Sequence, residues 1–401
     1  MSEHLTPRAG GAPDALRKVY VEPTNACNLD CRTCVRHAWD EPEGFMEWLV
    51  YERVVEGLAE AQDASGRGAT AHGRDAAGPG RNAAKPATVA FMGLGEPLLH
   101  PRLVDMVRLA TARGLATEVT TNALLLDQAM ADELVAAGLG QLVVSIDGAT
   151  AETFGKVRSG ASLATVVRNV RYLEDRREFV DGPRVRVGLE FVAMRSNVAE
   201  LPGLNRVAAQ LGASFIIVSN VLAYTPELVA ETLYDRSATG CAAPASTSSP
   251  RWQLPRFDWD EAVGAAVGQA IERAQGVSIA DQDLAAASGH CPFVEAGACA
   301  VAWHGGVSPC PPLLHTYTCF VQGRHKLMTR WEAGSLSVQP MAAIWSQPDY
   351  AAFRERVRRF DFTPCTDCGC ELAEGNLEDC LGNTHPVCGD CLWARGIVRC
   401  A

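Results

Sequence analysis

Short apolar runs alternate with stretches of helical period over residues 18–218, and the alternation predicts repeated strand–helix units. Lys18–Glu22, Thr88–Met92, Ala116–Thr120, Gln141–Ile146, Val185–Ala193 and Ser214–Val218 read as strands. Glu47–Glu60, Pro101–Arg113, Asp127–Ala137, Ala161–Asp175 and Val198–Leu211 read as helices, three of them closed by Gly114, Gly138 and Gly212. In the first helix Trp48, Leu49, Val54, Val55 and Leu58 form the expected apolar face. Most of the strands are nearly continuous apolar runs, as strands covered on both faces must be, so parallel pairing through helical crossovers is the natural topology. A doubly wound sheet and a partial barrel both satisfy this pattern.

Three stretches break the rhythm. Residues 62–87 are rich in Ala, Gly and Arg with almost no large apolar side chains, which predicts an insert unable to order itself. Residues 221–289 read as a linker followed by a helix over Trp259–Gln275. From residue 290 to the end Cys, Gly and Pro dominate, and a small domain organised by metal is expected there. Residues 18–220 would be the main domain, with 1–17 as a tail.

Composition narrows the possibilities. A chain of 401 residues suits one large domain and one smaller one, and 47% hydrophobic content allows an ordinary core. The net charge of −11 without a basic stripe argues against nucleic acid as a partner. No apolar run is long enough to cross a bilayer, and Met1–Lys18 lacks the apolar segment of a signal peptide, so a cytoplasmic protein without membrane partners is expected. The 15 cysteines are therefore better suited to metal binding or catalysis than to disulfides. Cys27, Cys31 and Cys34 form one group and eleven others lie between Cys291 and Cys400, leaving only Cys241 apart.

Cys27, Cys31 and Cys34 follow the first strand directly, which puts them at the carboxyl end of the sheet, where parallel α/β folds bind ligands. Three thiolates can hold three corners of a [4Fe–4S] cluster and leave one iron open to a Lewis-basic ligand. The competing reading is a zinc site completed by a fourth residue such as His37.

With this triplet the sequence resembles the radical S-adenosylmethionine (SAM) superfamily, and the likeness continues beyond it. Phe91-Met92-Gly93-Leu94-Gly95-Glu96-Pro97 looks like that family's Gly-Gly-Glu-Pro segment, which binds the methionine amino group. By the resemblance Gly93, Gly95 and Glu96 contact SAM. Thr121 and Asn122 end the third strand, Ser145 and Asp147 the fourth, and the family uses such positions for the ribose hydroxyls. Arg158 would clamp the SAM carboxylate. Taken singly, each segment also suits an ordinary strand-end turn or a solvated arginine. One position departs from the pattern: Thr33 stands where the family often has an aromatic residue beside the adenine. The resemblance implies a partial (β/α)6 TIM-like barrel, an α/β fold, and reductive cleavage of SAM to a 5′-deoxyadenosyl radical, with Cys27, Cys31 and Cys34 as the catalytic cluster ligands.

The C-terminal cysteines admit two readings. Cys365-x2-Cys368 and Cys388-x2-Cys391 have the spacing of a zinc ribbon, which would leave seven of the eleven unexplained. The order from Cys291 through Gly305 to Cys310 instead resembles the SPASM extension of radical SAM maturases, a Cys-rich iron–sulfur domain with two auxiliary clusters. That resemblance implies Cys291 and Cys310, with one or two of Cys299, Cys388 and Cys391, for one cluster. Cys365, Cys368, Cys380 and Cys400 would serve the other, with Cys319 and Cys370 unassigned. Cys370 falls too early and Cys380 too late for the usual second half of the motif.

Wording such as Val21-Glu22-Pro23-Thr24-Asn25-Ala26 and Glu378-Asp379-Cys380-Leu381-Gly382-Asn383 is similar to the maturase group of tungsten-containing aldehyde oxidoreductases. The expected partners are a ferredoxin- or flavodoxin-type electron donor and a tungstoenzyme, its cofactor precursor or a peptide. A peptide-modifying maturase and a non-catalytic iron–sulfur or zinc protein are the alternatives. The former is disfavoured by the mere 17 residues before the first strand.

Overall fold

The computed structural model describes residues 15–65, 85–176, 184–234, 251–255, 260–271, 276–279, 291–363, 365 and 370–400. The six expected strands form as β1 (Lys18–Val21), β2 (Thr88–Phe91), β3 (Ala116–Thr121), β4 (Gln141–Ser145), β5 (Arg186–Ala193) and β6 (Phe215–Asn220). They pair in that order, all parallel. Connecting helices are α1 (Trp48–Ala64), α2 (Leu103–Ala112), α3 (Gln128–Ala137), α4 (Ala151–Val157), α5 (Leu163–Arg176) and α6 (Leu201–Gln210).

Local chemistry sets their ends. Asp127 caps α3 by accepting from the Met130 N–H at 2.8 Å, and Gly138 closes it with φ 88° in the left-handed region. Helix α4 is an element the pattern did not announce; it starts where Thr150 accepts from the Thr153 N–H.

The sheet is wider than expected. Beyond β6 it adds β7 (Arg251–Leu254) and β8 (Gly276–Ile279) in parallel, both inside the stretch read as a linker and helix. The predicted helix there is shorter, Glu261–Ile271. Beyond β1 the sheet adds β9 (Ala298–Val301), parallel to β1, and then β10 (Gly306–Ser308) and Gly334–Ser335, both antiparallel. Cys-rich sequence thus enters the main sheet: all four residues of β9 are buried and Cys299 belongs to the main apolar core. A metal-organised region separate from that core was the expectation. The run Ala-Cys-Ala-Val, apolar on both faces, satisfies the same burial rule as β1–β6 and explains the difference.

Two helix predictions are adjusted by packing. In α1 the buried stripe is Val50, Tyr51, Val54, Val55 and Leu58, while Leu49 points to solvent at 58% exposure. The 3.6-residue period places position 49 opposite the stripe. The helix also runs past residue 62, because buried Gln62 bridges two chain segments, accepting from the Ala87 N–H at 2.7 Å and donating to the Gly114 carbonyl at 3.4 Å. Most of the predicted insert, and Cys241 and Cys368, lie outside the described residues. Among the described residues no helix is long and apolar enough to cross a membrane.

The sheet curves. Side chains from β5 and β6, from the loop after β2 and from the C-terminal segment line one common cavity of about 230 Å³. An open parallel sheet whose inner face wraps a chamber is a partial barrel, and the chamber is its lumen.

Candidate active site

The chain leaving β1 turns at once into the loop of Cys27, Cys31 and Cys34. Short polar side chains fix the turn. Thr24 donates to the Gly44 carbonyl at 2.6 Å and accepts from the Ala26 N–H at 3.0 Å, and Asn25 pairs with Pro42 and Gly44. A two-residue ladder, Asp30–Cys31 against Arg158–Ser159, ties the loop to the end of α4. The three thiols share one electrostatic environment: Cys31 feels the charges of both Cys27 and Cys34. Burial raises all three thiol pKa values, Cys31 to about 11, against the pull of the Arg158 and Arg36 guanidinium groups. Binding a cation such as iron favours the anionic form of such thiols. His37, the residue able to complete a zinc site, is engaged elsewhere, within 3.0 Å of the Cys31 carbonyl oxygen and 3.4 Å of Asp30.

The loop after β2 packs directly on this turn. The Glu96 N–H donates to the Ala26 carbonyl at 2.8 Å. The glycines permit the approach: a Cβ on Gly93 would lie 2.7 Å from Glu22 Cγ, and one on Gly95 would run into the carbonyls of Thr24 and Ala26. The expectation was that these glycines make room for a ligand; here they make room for the cysteine loop itself. Buried Glu96 accepts from Thr121 Oγ1 at 2.6 Å and from the N–H groups of Leu98 and Asn122 at 3.0 and 2.8 Å. Asn122 reaches Asn28 of the cysteine loop at 2.9 Å. Thr121 is thus a partner of Glu96 rather than a group open to the lumen.

Ser145 ends β4 half-buried. Asp147 is fully buried, accepts from the Val192 N–H at 2.9 Å and forms an ion pair with Arg158 at 2.8 Å. The Arg158 Nε is buried with no hydrogen-bond partner among the described residues, so the guanidinium retains donor capacity beside Cys31. Glu190, next in this line of charges, is pushed up to about 7 by burial and by the neighbouring Asp147, with Arg158 opposing.

Four of the C-terminal thiols lie within reach of one another's charges. Cys291, Cys310, Cys388 and Cys391 act on one another electrostatically, and burial raises all four, Cys291 to about 12. The Cys388–Cys391 turn is anchored by Asp390, which holds Lys326 at 2.6 Å and Arg324 at 3.1 Å from the hairpin Tyr317–Val321/Arg324–Met328. Cys299 does not join them: it sits in β9 within the core. Cys319 lies on the hairpin near Lys326. Cys365 is buried, and Cys380 is exposed with its sulfur 3.4 Å from Thr363 Oγ1. Cys400 accepts from Trp393 Nε1 at 3.2 Å and packs in one cluster with Cys291 and Cys310, within reach of the charges of Glu190, Lys18 and Cys391.

One buried group escaped notice in the sequence. His315 lies between Glu22 at 2.9 Å and Glu41 at 2.5 Å, joining β1, the cysteine loop and the C-terminal region. An isolated His gives no periodic signal, and its partners are more than 270 residues away.

The cavity joins these parts. Its lining includes Thr33, Leu94, Val192, Tyr224, Trp393 and Cys400. Thr33 does face the chamber, and Leu94, Val192 and Tyr224 supply the apolar surface that its own side chain lacks.

Residues 80–182 match the radical SAM superfamily, and residues 291–369 match SPASM, an iron–sulfur cluster-binding domain. Over nearly its full length the chain is similar to the tungsten-containing aldehyde ferredoxin oxidoreductase cofactor-modifying protein of Pyrococcus furiosus. That likeness is 28% identity over 398 residues, 96% of this chain and 97% of that protein. Mycofactocin maturase MftC of Mycobacterium ulcerans is 26% identical over 196 residues, 49% of this chain and 45% of that one. Among solved structures, Streptococcus suis SuiB bound to S-adenosylmethionine shares the fold with a TM-score of 0.55 at 13% identity, over 89% of this chain and 71% of SuiB. Native anSMEcpe with bound AdoMet gives a TM-score of 0.54 at 14% identity, over 85% of this chain and 84% of that one.

Proposed function

The chain is a radical SAM enzyme with a SPASM domain, and from that premise we propose that it matures a tungsten-containing oxidoreductase or that enzyme's cofactor. The end-to-end likeness to the Pyrococcus furiosus cofactor-modifying protein carries this reading, because it extends through both the core and the Cys-rich region.

Bound SAM and its [4Fe–4S] cluster supply reductive S–C5′ cleavage to a 5′-deoxyadenosyl radical. The residues fit these groups. Cys27, Cys31 and Cys34, on one short loop and within reach of one another's charges, would hold three irons, and the unsatisfied Arg158 Nε suits a carboxylate. Glu96, beside the cysteine loop, would receive the amino group. Gly93 and Gly95 keep that loop close, and Asn122 and Ser145 would meet the ribose. Thr121 holds Glu96, and Asp147 orients Arg158. Partial burial of the three thiols would limit water at the reacting centre and tune the cluster.

For one auxiliary cluster we assign Cys291, Cys310, Cys388 and Cys391; Cys365, Cys368 and Cys380 would contribute to the second. The domains follow as 18–220 for the core, 221–289 for the connection and 290–401 for the auxiliary-cluster region. A low-potential donor of ferredoxin or flavodoxin type would feed the site, and reduced thiols of this kind suit the cytoplasm.

The test is anaerobic incubation of the reconstituted chain with SAM and dithionite, alone or with a cofactor-free tungsten oxidoreductase, its pterin precursor or a candidate peptide. We expect about 12 Fe per chain and 5′-deoxyadenosine formation accelerated by the oxidoreductase or its pterin. Acceleration by a peptide alone would transfer the assignment to peptide modification. Zinc with only about four Fe would remove the auxiliary clusters.

A further inference from the structure

Glu22 follows β1 directly and is completely buried, as is His315 beside it. Three parts of the chain meet its carboxylate: His315 Nε2 lies 2.9 Å from Oε2, the Trp303 N–H donates to Oε2 at 3.3 Å, and the Leu94 N–H donates to Oε1 at 3.4 Å. A buried carboxylate without a counter-charge is costly, so Glu22 keeps its place only while His315 answers it. Leu94 belongs to the loop from Gly93 to Glu96 and lines the chamber. The far end of that loop meets the cysteine turn through the Glu96 N–H on the Ala26 carbonyl at 2.8 Å, and its near end is held by the Leu94–Glu22 contact. The other ring nitrogen of His315 lies 2.5 Å from Glu41, on the segment that follows the three cysteines. Glu41 also accepts from the Thr316 N–H at 3.2 Å, and Trp39 of the same segment meets the imidazole edge to face, with ring centroids 4.6 Å apart. His315 is itself anchored in the Cys-rich region, where the Leu313 carbonyl at the end of the turn Pro311–Leu313 accepts from the Trp331 N–H at 3.1 Å. One imidazole from that region therefore grips both segments around the proposed SAM site, the glycine loop through Glu22 and the cysteine loop through Glu41.

We propose that His315 is a positioning residue for SAM: through Glu22 it holds the loop bearing Leu94 and Glu96 against the cysteine loop, so that the Cys-rich region sets the affinity of the core for SAM. This rests on Glu96 as the receiver of the SAM amino group. His315 and Glu22 perform no chemistry of their own; they fix where Glu96 stands relative to the three cysteines. The coupling is reciprocal, so SAM in the site also steadies residues 303–316.

The experiment is equilibrium dialysis of SAM against the reconstituted full chain, anaerobic and without reductant, with iron content and hydrogen exchange measured on the same samples. It compares the wild type with Glu96→Gln, His315→Gln, Glu22→Gln and the last two combined. We expect His315→Gln and Glu22→Gln each to bind SAM about 10-fold more weakly at wild-type iron content, the usual effect of removing a group that orients a ligand-binding one. The double variant should bind about as weakly as either single one, because both changes break the same chain of contacts. In the wild type SAM should slow exchange in residues 93–96 and 303–316 together, and in His315→Gln in residues 93–96 alone. Wild-type affinity in His315→Gln, additive losses of about 100-fold in the double variant, or no protection of residues 303–316 overturns the proposal. Iron lost in step with SAM binding makes His315 a support of the clusters and overturns it too. If His315→Gln does not fold, the double variant, which strands no carboxylate at position 22, is compared with Glu22→Gln: equal affinity supports the proposal and a further loss of about 10-fold overturns it. Wild-type affinity in Glu96→Gln defeats the role given to that loop and this inference together, whereas weakened binding in Glu96→Gln but not in His315→Gln defeats this inference alone.

Discussion

Cys31 is held by the Arg158 ladder and by the Cys34 N–H that donates to its carbonyl at 3.0 Å. Two remaining thiolates would not retain an iron–sulfur cube. Cys31→Ala is therefore expected to lose about four Fe and all SAM cleavage, read by iron analysis and by 5′-deoxyadenosine; retained cleavage would overturn the cluster assignment. Gly95 tests the loop packing rather than the ligands. A methyl group there meets the Thr24 and Ala26 carbonyls, which are backbone and cannot move aside. Gly95→Ala should cost about 1–3 kcal/mol, as overpacking does. An unchanged urea midpoint would show that the loop yields freely. The glycines and Glu96 were legible as a motif, but their hydrogen-bond and packing partners were not, because contacts across three loops have no period along the chain.

The hairpin Tyr317–Val321/Arg324–Met328 and the Cys388–Cys391 turn depend on one another through a buried ion pair. Lys326 is 3% and Asp390 5% exposed, so neither charge is relieved by water. Removing one partner leaves the other uncompensated, which costs about 3–5 kcal/mol. Asp390→Ala should lower the unfolding midpoint accordingly and release iron from the auxiliary site while sparing the Cys27–Cys34 cluster. Equal iron in variant and wild type would show that the turn holds its thiols without this pair. Strand β9 belongs with this argument: it is C-terminal in sequence yet pairs with β1, so the auxiliary region is not an appendage but an extension of the same sheet.

The core and the Cys-rich region are joined at His315, fully buried between Glu22 and Glu41. Burial by itself lowers a histidine pKa, but the hydrogen bonds and charges of the two carboxylates outweigh it and the net shift is upward. The sign follows from linkage. A folded pKa above the unfolded value of about 6.5 gives stability that is fully present below that pH and lost as pH rises through the folded value. Thermal unfolding of the holoprotein should therefore begin to fall above about pH 6.5, and His315→Gln should flatten that slope while lowering stability at acid pH. A pH profile identical in both proteins would remove His315 from the junction.

The strand–helix rhythm, the cysteine triplet and the polar strand ends were all readable in residues 18–220, because each depends on near neighbours or on a fixed period. Those features determined a parallel α/β architecture and a site at the carboxyl ends of its strands. The width of the sheet, the grouping of Cys291 and Cys310 with Cys388 and Cys391, and the departure of Cys299 from that group were decided only in three dimensions. Cysteines of one spacing are chemically equivalent in a sequence. Burial, a neighbouring carboxylate or a place in a strand makes them different, and those depend on residues hundreds of positions apart.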